Sequence, residues 1–461
     1  MTIAARARVC LGLATGALFA QFLYLRGGVV FNDETSYFAL ARGLQEGCYS
    51  QWNELGACYP DTFRSPGYPL FLALVGGLGP GRETVQWVQL FLILVSVALV
   101  FAALEAHRGP RVAFVLAALV GLSPQFAYFA AAVAPEALMA FLVAVWVYEA
   151  SGRNRPVVCG LLCGVMALVR PTFLLFPLFH LVLIAARRRA LPKNEVLTVV
   201  FALLPVLPYG LWNQRHHDVF SLTPIEGGGP NAHDGLWQLR LPGYTSMRYW
   251  GGSEMGVEPF AFLMSPQTRA TNIALYEQEW NQIDREAPMS FEDRRRQRIM
   301  ADKPLFPTYT TDYVRRRARA VERSVLRGIW NDPLTYAASR VYAAFRLWVP
   351  APVQRDLDDP SVMRRLRATV PTLLLGLMFG GGALLILRRQ HAHPAAFQDL
   401  LPLASLTLYW WLIHIPFSIQ ARYTLPVHLP ALALIAVAGL PFVGADSPGE
   451  AGSPERSRRT T

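Results

Sequence analysis

Ten apolar stretches divide the chain, at 8–25, 84–104, 112–131, 135–150, 157–169, 172–186, 195–212, 369–387, 397–417 and 424–443. A helix crosses a bilayer with about 20 mainly apolar residues, and with somewhat fewer when it is tilted or flanked by aromatics. Composition points the same way. Hydrophobic residues make up 53% of the 461 residues and charged residues only 16%, against roughly 25% charged in soluble domains. The expected fold is therefore an all-α polytopic membrane protein with about ten transmembrane helices. The segment 68–78 is too short to span and reads as a re-entrant or interfacial helix. Only Arg170-Pro171 separates 157–169 from 172–186, so one long kinked helix is the alternative there.

The basic residues of the short loops set an orientation. Arg6 and Arg8 precede the first stretch and place the N-terminus in the cytoplasm. Alternation then puts Arg108 with Arg111, Arg153 with Arg155, Arg187 to Arg189 with Lys193, Arg388-Arg389, and Arg456, Arg458 and Arg459 on the same side. Reading 157–186 as one helix would send the later clusters across, which favours two spans. The expected parts are an N-terminal transmembrane catalytic module (1–212) with a first outer loop (26–69), an extracytoplasmic loop forming a small domain (213–368), C-terminal transmembrane helices (369–443) and a disordered cytoplasmic tail (444–461). The net charge of +11 is mostly this topology signal plus an Arg-rich loop, so no nucleic-acid partner is expected. The first apolar stretch lacks a small-residue cleavage site and reads as a retained span.

Charge is concentrated at one set of span ends. Asp33, Glu34, Arg64, Glu136, Arg170, Arg215 and Arg422 all map to the outer ends of spans or to the turns joining them. Ionisable residues at membrane depth are functional candidates. Carboxylates suit a general base, and arginines suit a bidentate phosphate clamp. Glu136 also suits the first turn of a helix after Pro135, where an acid complements the helix dipole. The residues 35–46 carry apolar positions at 37, 38, 40, 41 and 44, the spacing of a short helix lying along the membrane surface. Val314, Ala318, Val321 and Val325 share one face of an Arg-rich stretch, which reads either as an interfacial helix or as a solvated one. Gly227-Gly228-Gly229 reads as a flexible turn or as a close backbone approach to a ligand. Cys48 and Cys58 share the first outer loop, where an oxidising compartment permits a disulfide; Cys10, Cys159 and Cys163 read as core residues. No histidine or cysteine spacing assigns a metal site. No cofactor is assigned, and dependence on a divalent metal stays open.

Asn32-Asp33-Glu34 with Tyr37 and Ala41, then Arg64-Ser65-Pro66-Gly67-Tyr68-Pro69-Leu70, resembles the GT-C superfamily of integral-membrane glycosyltransferases. Its bacterial relatives of protein O-mannosyltransferases and of the lipid A aminoarabinose transferase look most similar. The resemblance extends to the Arg170-Pro171 corner, to 212–231, and to Arg422-Tyr423-Thr424-Leu425-Pro426. It implies a sugar donor carried on a polyprenyl phosphate, a glycan, lipid or protein acceptor, and transfer at the periplasmic face of a bacterial cytoplasmic membrane. By motif position Asp33 would be the general base, with Glu34 assisting or anchoring, and Glu136 the second acidic residue. Arg64 would contact the lipid phosphate, with Arg422 beside Tyr423 and then Arg170 as further phosphate ligands. The aminoarabinose transferases carry an acid directly before the residue equivalent to Arg64, whereas Phe63 stands here. The alternatives are an O-antigen-type polysaccharide polymerase or ligase, which would rely on outer arginines and a histidine, and a transporter or flippase. The lack of an internal repeat and of midplane charge disfavours the last.

Overall fold

The computed structural model describes residues 2–28, 33–52, 58–76, 81–153, 155–237, 240–241, 265–300, 305, 308–348, 379–386, 388, 400–417 and 425–439. Among them the regular backbone is helical, with no strand. Helix α1 (Ile3–Leu25) is followed by the short α2 (Glu34–Gln45) and α3 (Gly67–Gly76), which pack on each other. Ser36, Tyr37, Leu40, Ala41 and Gly43 are the buried face of α2, close to the amphipathic pattern expected for 35–46. Next come α4 (Arg82–Arg108), α5 (Pro110–Leu122), α6 (Gln125–Ala131), α7 (Glu136–Tyr148), α8 (Pro156–Val169), α9 (Phe176–Arg188) and α10 (Lys193–His217).

Among the described residues, four helices are long and apolar enough to cross a bilayer: Ile3–Leu25, Arg82–Glu105, Pro171–Arg188 (counted with its leading turn) and Lys193–His217. The stretch expected at 112–131 is instead a pair of helices, α5 and α6, meeting at 58°, and with that pair the described residues hold up to five spans. Pro124 stands at the break, where a proline removes a backbone donor and blocks the preceding turn. Shorter apolar helices run over Gly67–Gly76, Pro156–Val169 and Leu425–Val437. The region 157–186 forms two separate helices with Arg170 and a 3-10 turn, Pro171–Phe173, between them.

Sequence explains the closest helix contacts. Gly160 and Gly164 are spaced Gly-x-x-x-Gly, and a Cβ on Gly160 would lie 2.6 Å from the Thr198 carbonyl oxygen of α10. A Cβ on Gly164 would meet the Ala202 carbonyl in the same way. Without a hydrophobic drive between helices in lipid, small residues of this kind let backbones approach. The broken backbone after α6 is satisfied from α4. Gln86 Nε2 donates to the Ala131 carbonyl at 2.5 Å, and Gln89 Nε2 donates to the Ala132 carbonyl at 2.6 Å and the Ala130 carbonyl at 3.2 Å. Both glutamines are buried, as required where lipid offers no water to an opened helix.

Beyond α10 the chain forms a helical cap: α11 (Gly229–Trp237), α12 (Pro266–Glu286), α13 (Phe291–Met300) and α14 (Thr311–Asn331). The cap has its own core of Trp237, Leu241, Tyr276, Trp280, Ile283, Ala287, Ala320 and Val321. The apolar face of 313–327 is therefore spent inside protein: Tyr313, Val314, Ala320, Val321 and Ser324 are buried. Its arginines pair with acids, Arg323 and Arg327 with Glu286 and Arg316 with Asp312. Helix α15 (Pro333–Arg346) leads back to the bundle, which continues with a helical stretch at 379–386 and with α16 (Leu401–His414) and α17 (Leu425–Gly439). The expected tail, 444–461, lies outside the described residues.

Candidate active site

The turn that presents Arg64 is built from its own carboxylate. Asp61 Oδ2 accepts from the backbone N–H of Phe63 at 3.0 Å and of Arg64 at 2.6 Å. Aspartate commonly closes a turn in this way, by bonding the backbone two and three residues on. Its other oxygen, Oδ1, accepts from Gln51 Nε2 at 2.8 Å, and Gln51 Oε1 accepts from Ser36 Oγ of α2 at 2.7 Å. Tyr49 Oη donates to the Arg64 carbonyl at 2.9 Å. Both main-chain sides of Arg64 are thus held. Burial pushes the Asp61 carboxyl above the usual aspartate range, against the pull of the Arg64 backbone and Gln51 hydrogen bonds. Cys48 and Cys58 are joined by a disulfide with Cα atoms 5.9 Å apart, within the same loop.

So held, Arg64 Nη2 donates to Asp33 Oδ1 at 2.8 Å, and its guanidinium sits over the rings of Phe63 and Tyr37 at 4.4 and 5.1 Å. Asp33, directly before α2, is 4% exposed. A second pair lies on the same wall. Glu136, the first residue of α7, is fully buried and accepts a hydrogen bond from Arg170 at the α8 corner. The two pairs are brought together by Gly67: a Cβ there would lie 2.7 Å from the backbone of Leu168 and Val169. Only glycine lets the start of α3 touch the end of α8 so closely.

Asp33, Arg64, Glu136 and Arg170 line one cavity of about 730 Å³ between bundle and cap. Thr172 and His414 belong to the same bundle-side wall. The His414 Nδ1–H donates to the Trp410 carbonyl at 2.8 Å, since a carbonyl only accepts. The cap supplies the opposite wall with Glu226, Asp234, Asp284, Tyr309, Tyr313 and Arg317. Arg317 lies 3.6 Å from Glu226 and 4.0 Å from Asp284 and stacks over Trp280. Tyr276 Oη donates to Asp234 Oδ1 at 2.8 Å. Burial nevertheless raises the Asp234 carboxyl to about 6, with the Tyr276 bond opposing. Glu226 is raised as well, by burial first and against the attraction of Arg317. Its N–H bonds the Thr62 carbonyl at 3.2 Å, which ties the cap to the Arg64 turn. Gly227 has φ of +66°, and a Cβ on Gly228 would lie 2.9 Å from the Phe417 ring. Both glycines line the cavity.

Glu34 is placed apart: it pairs with Arg82 at 3.1 Å and is absent from the cavity wall. Arg215 is exposed and also outside that wall. Arg422 and Tyr423 lie outside the described residues. Among the described residues no group of three or more His, Cys, Asp or Glu side chains is arranged to hold a metal. Asp61, Gln51 and the cap residues were not singled out from sequence. Asp61 had a signal, since an Asp three residues before an Arg in a Pro-bounded loop is a turn-closing pattern. The cap acids had none, because their partners lie tens of residues away.

Residues 64–212, about a third of the chain, match the family model described as dolichyl-phosphate-mannose-protein mannosyltransferase. No curated protein sequence matches the chain. Among solved structures, the apo oligosaccharyltransferase of Archaeoglobus fulgidus aligns at 13% identity and a TM-score of 0.47, over 94% of this chain and 50% of that one. The same organism's oligosaccharyltransferase AglB, in complex with an inhibitory peptide and a dolichol-phosphate, aligns at 12% and 0.44, over 94% and 50%. ArnT from Cupriavidus metallidurans, bound to undecaprenyl phosphate, aligns at 13% and 0.39, over 92% and 76%. The chain spans about half the length of the archaeal oligosaccharyltransferases it matches. The family match over 64–212 bears out the resemblance to the GT-C superfamily of integral-membrane glycosyltransferases, on an all-helical, multi-pass membrane fold.

Proposed function

We propose that the protein transfers a sugar from a polyprenyl-phosphate-linked donor to an acceptor hydroxyl at the periplasmic face of a bacterial cytoplasmic membrane. One observation carries this reading: two buried carboxylate–arginine pairs, drawn from four separate segments, share one cavity at the junction of bundle and cap. Buried ion pairs contribute little net stability, because desolvation offsets most of their attraction. Two of them on one cavity wall therefore suit a chemical task better than a structural one.

In this reading the Asp33 carboxylate takes the acceptor hydroxyl proton. The acceptor oxygen attacks the anomeric carbon, and the bond from that carbon to the phosphate oxygen breaks. The electron pair leaves with the polyprenyl phosphate, and the products are the glycoside and the lipid phosphate. A phosphate is a good leaving group, so the site needs cations more than a strong general acid. Arg64 and Arg170 supply them, and a guanidinium with five N–H donors can hold a carboxylate and a phosphate together. Arg422 with Tyr423 is assigned to the same task from its motif. Glu136 orients Arg170, and Glu34, paired with Arg82, anchors the start of α2. The cap wall receives the acceptor.

Asp33→Asn tests the assignment. Sugar transfer by the purified, reconstituted protein is expected to fall to background with folding intact, and unchanged transfer removes Asp33 from the mechanism. Mass spectrometry of envelope glycolipids from a strain lacking the gene then identifies the acceptor: loss of one sugar from one glycan names it, and unchanged glycolipids point to a protein.

A further inference from the structure

Helix α15 is amphipathic in the reverse sense to a soluble helix. Leu334 is 83% exposed and Val341 60%, whereas Ser339 and Arg340 on the other side are 1% and 8% exposed. Ala337 and Ala338 extend the outward apolar stripe at helical spacing, and Trp330, 80% exposed, stands just before it with Leu326 one turn earlier. The buried side is fully engaged. Arg340 Nη1 donates to the carbonyls of Ile415 at 2.7 Å and Phe417 at 3.0 Å, and Nη2 donates to the Gly235 carbonyl of the cap. Trp411 Nε1 of α16 donates to the Ala344 carbonyl at 2.8 Å. Helix α15 therefore lies along α16, an apolar helix whose own Leu408 and Leu412 are outward-facing.

We infer that the outward face of α15, with Trp330 at its edge, is seated in the bilayer interface and fixes the height of the cap above the membrane. Lipid is the occupant because this face continues that of α16, and because a chain of this composition must surround α16 with hydrocarbon. An outward apolar stripe with a flanking tryptophan is the pattern of a helix lying in the headgroup boundary. A soluble cap would lose stability by exposing Leu334, Val341 and Trp330 to water. Arg340 transmits the placement, since one side chain joins α15 to the cap at Gly235 and to the span end at Ile415 and Phe417.

The test uses full-length protein carrying single fluorescent labels at Leu334→Cys or Val341→Cys, with Gln282→Cys on exposed α12 as control, in vesicles of phosphatidylcholine and phosphatidylglycerol. A single symmetric gel-filtration peak and a parent-like helical circular-dichroism spectrum for each variant confirm folding. The expected result is that lipid-borne nitroxide quenches the 334 and 341 labels severalfold more than the 282 label, while aqueous iodide does the opposite. Iodide quenching at 334 and 341 equal to that at 282 overturns the inference. Protection of both labels from both quenchers also overturns it, since it places protein rather than lipid on this face.

Discussion

The two walls of the cavity are built on different principles. On the bundle side every charge has a fixed partner, and the partners are locked by main-chain contacts: Asp61 onto the Arg64 amide, Gly67 onto Leu168, Glu136 at the first turn of α7. On the cap side three carboxyl groups, Glu226, Asp234 and Asp284, share the wall with one arginine, Arg317, at looser distances of 3.6 and 4.0 Å. On the proposed function, tight pairing suits a wall that holds one lipid phosphate in place. Looser, acid-rich lining suits a wall that meets a polar acceptor. The difference teaches where substitutions should abolish transfer and where they should only retune it.

The largest effect belongs to the bundle wall. Arg170→Met leaves Glu136 buried without its cation, which is expected to cost about 3–5 kcal/mol of stability together with transfer. Glu136→Gln combined with Arg170→Met should recover most of that stability in thermal unfolding but not the activity. Recovery of transfer in the double variant would sink the idea that the pair is chemical. Gly67→Ala comes next. A methyl group 2.7 Å from the Leu168 backbone forces α3 away from α8, at about 1–3 kcal/mol, and widens the gap between Arg64 and Arg170. Transfer should drop with it, as measured at saturating donor.

Smaller changes are expected on the cap. Arg317→Gln should raise the KM for acceptor while leaving that for donor near its original value; an equal change in both would erase the distinction between the walls. The smallest effect is on stability against pH. Asp234 is raised to about 6 by burial, so the stability it contributes is present below its ordinary range and lost as pH rises through about 6. Asp234→Asn should therefore melt above the parent protein in detergent at about pH 8, with the gap closing on acidification to about pH 4.

Sequence showed the helical, membrane-spanning class through the apolar stretches, and the bundle-side wall through charges placed at span ends. Asp33, Arg64, Glu136 and Arg170 could be found because each sits at an apolar boundary, where a charge is conspicuous. The break at Pro124 escaped the ten-stretch reading because 112–131 is apolar on both sides of it. The face Val314, Val321 and Val325 could be read as an apolar stripe, but not what covers it. Lipid and the cap core ask for the same side chains, and only Trp237, Tyr276 and Trp280, 34 to 88 residues upstream, decide between them. Asp61 is inconspicuous in the sequence because it does not adjoin Arg64; its carboxylate reaches forward to the Arg64 amide from three residues upstream.

Gln89 shows how far from the cavity its shape is set. One amide inside α4 accepts from Tyr68 Oη at 2.8 Å and donates to the opened backbone at Ala130 and Ala132, a few residues before Glu136. It is the common fastening of the arm that bears Arg64 and of the helix that begins with Glu136. A screen that scored only loss of transfer would therefore return position 89 beside the cavity residues, although it is not on the cavity wall. Its variants would differ in one respect: a longer or shorter amide at that position would move both arms at once.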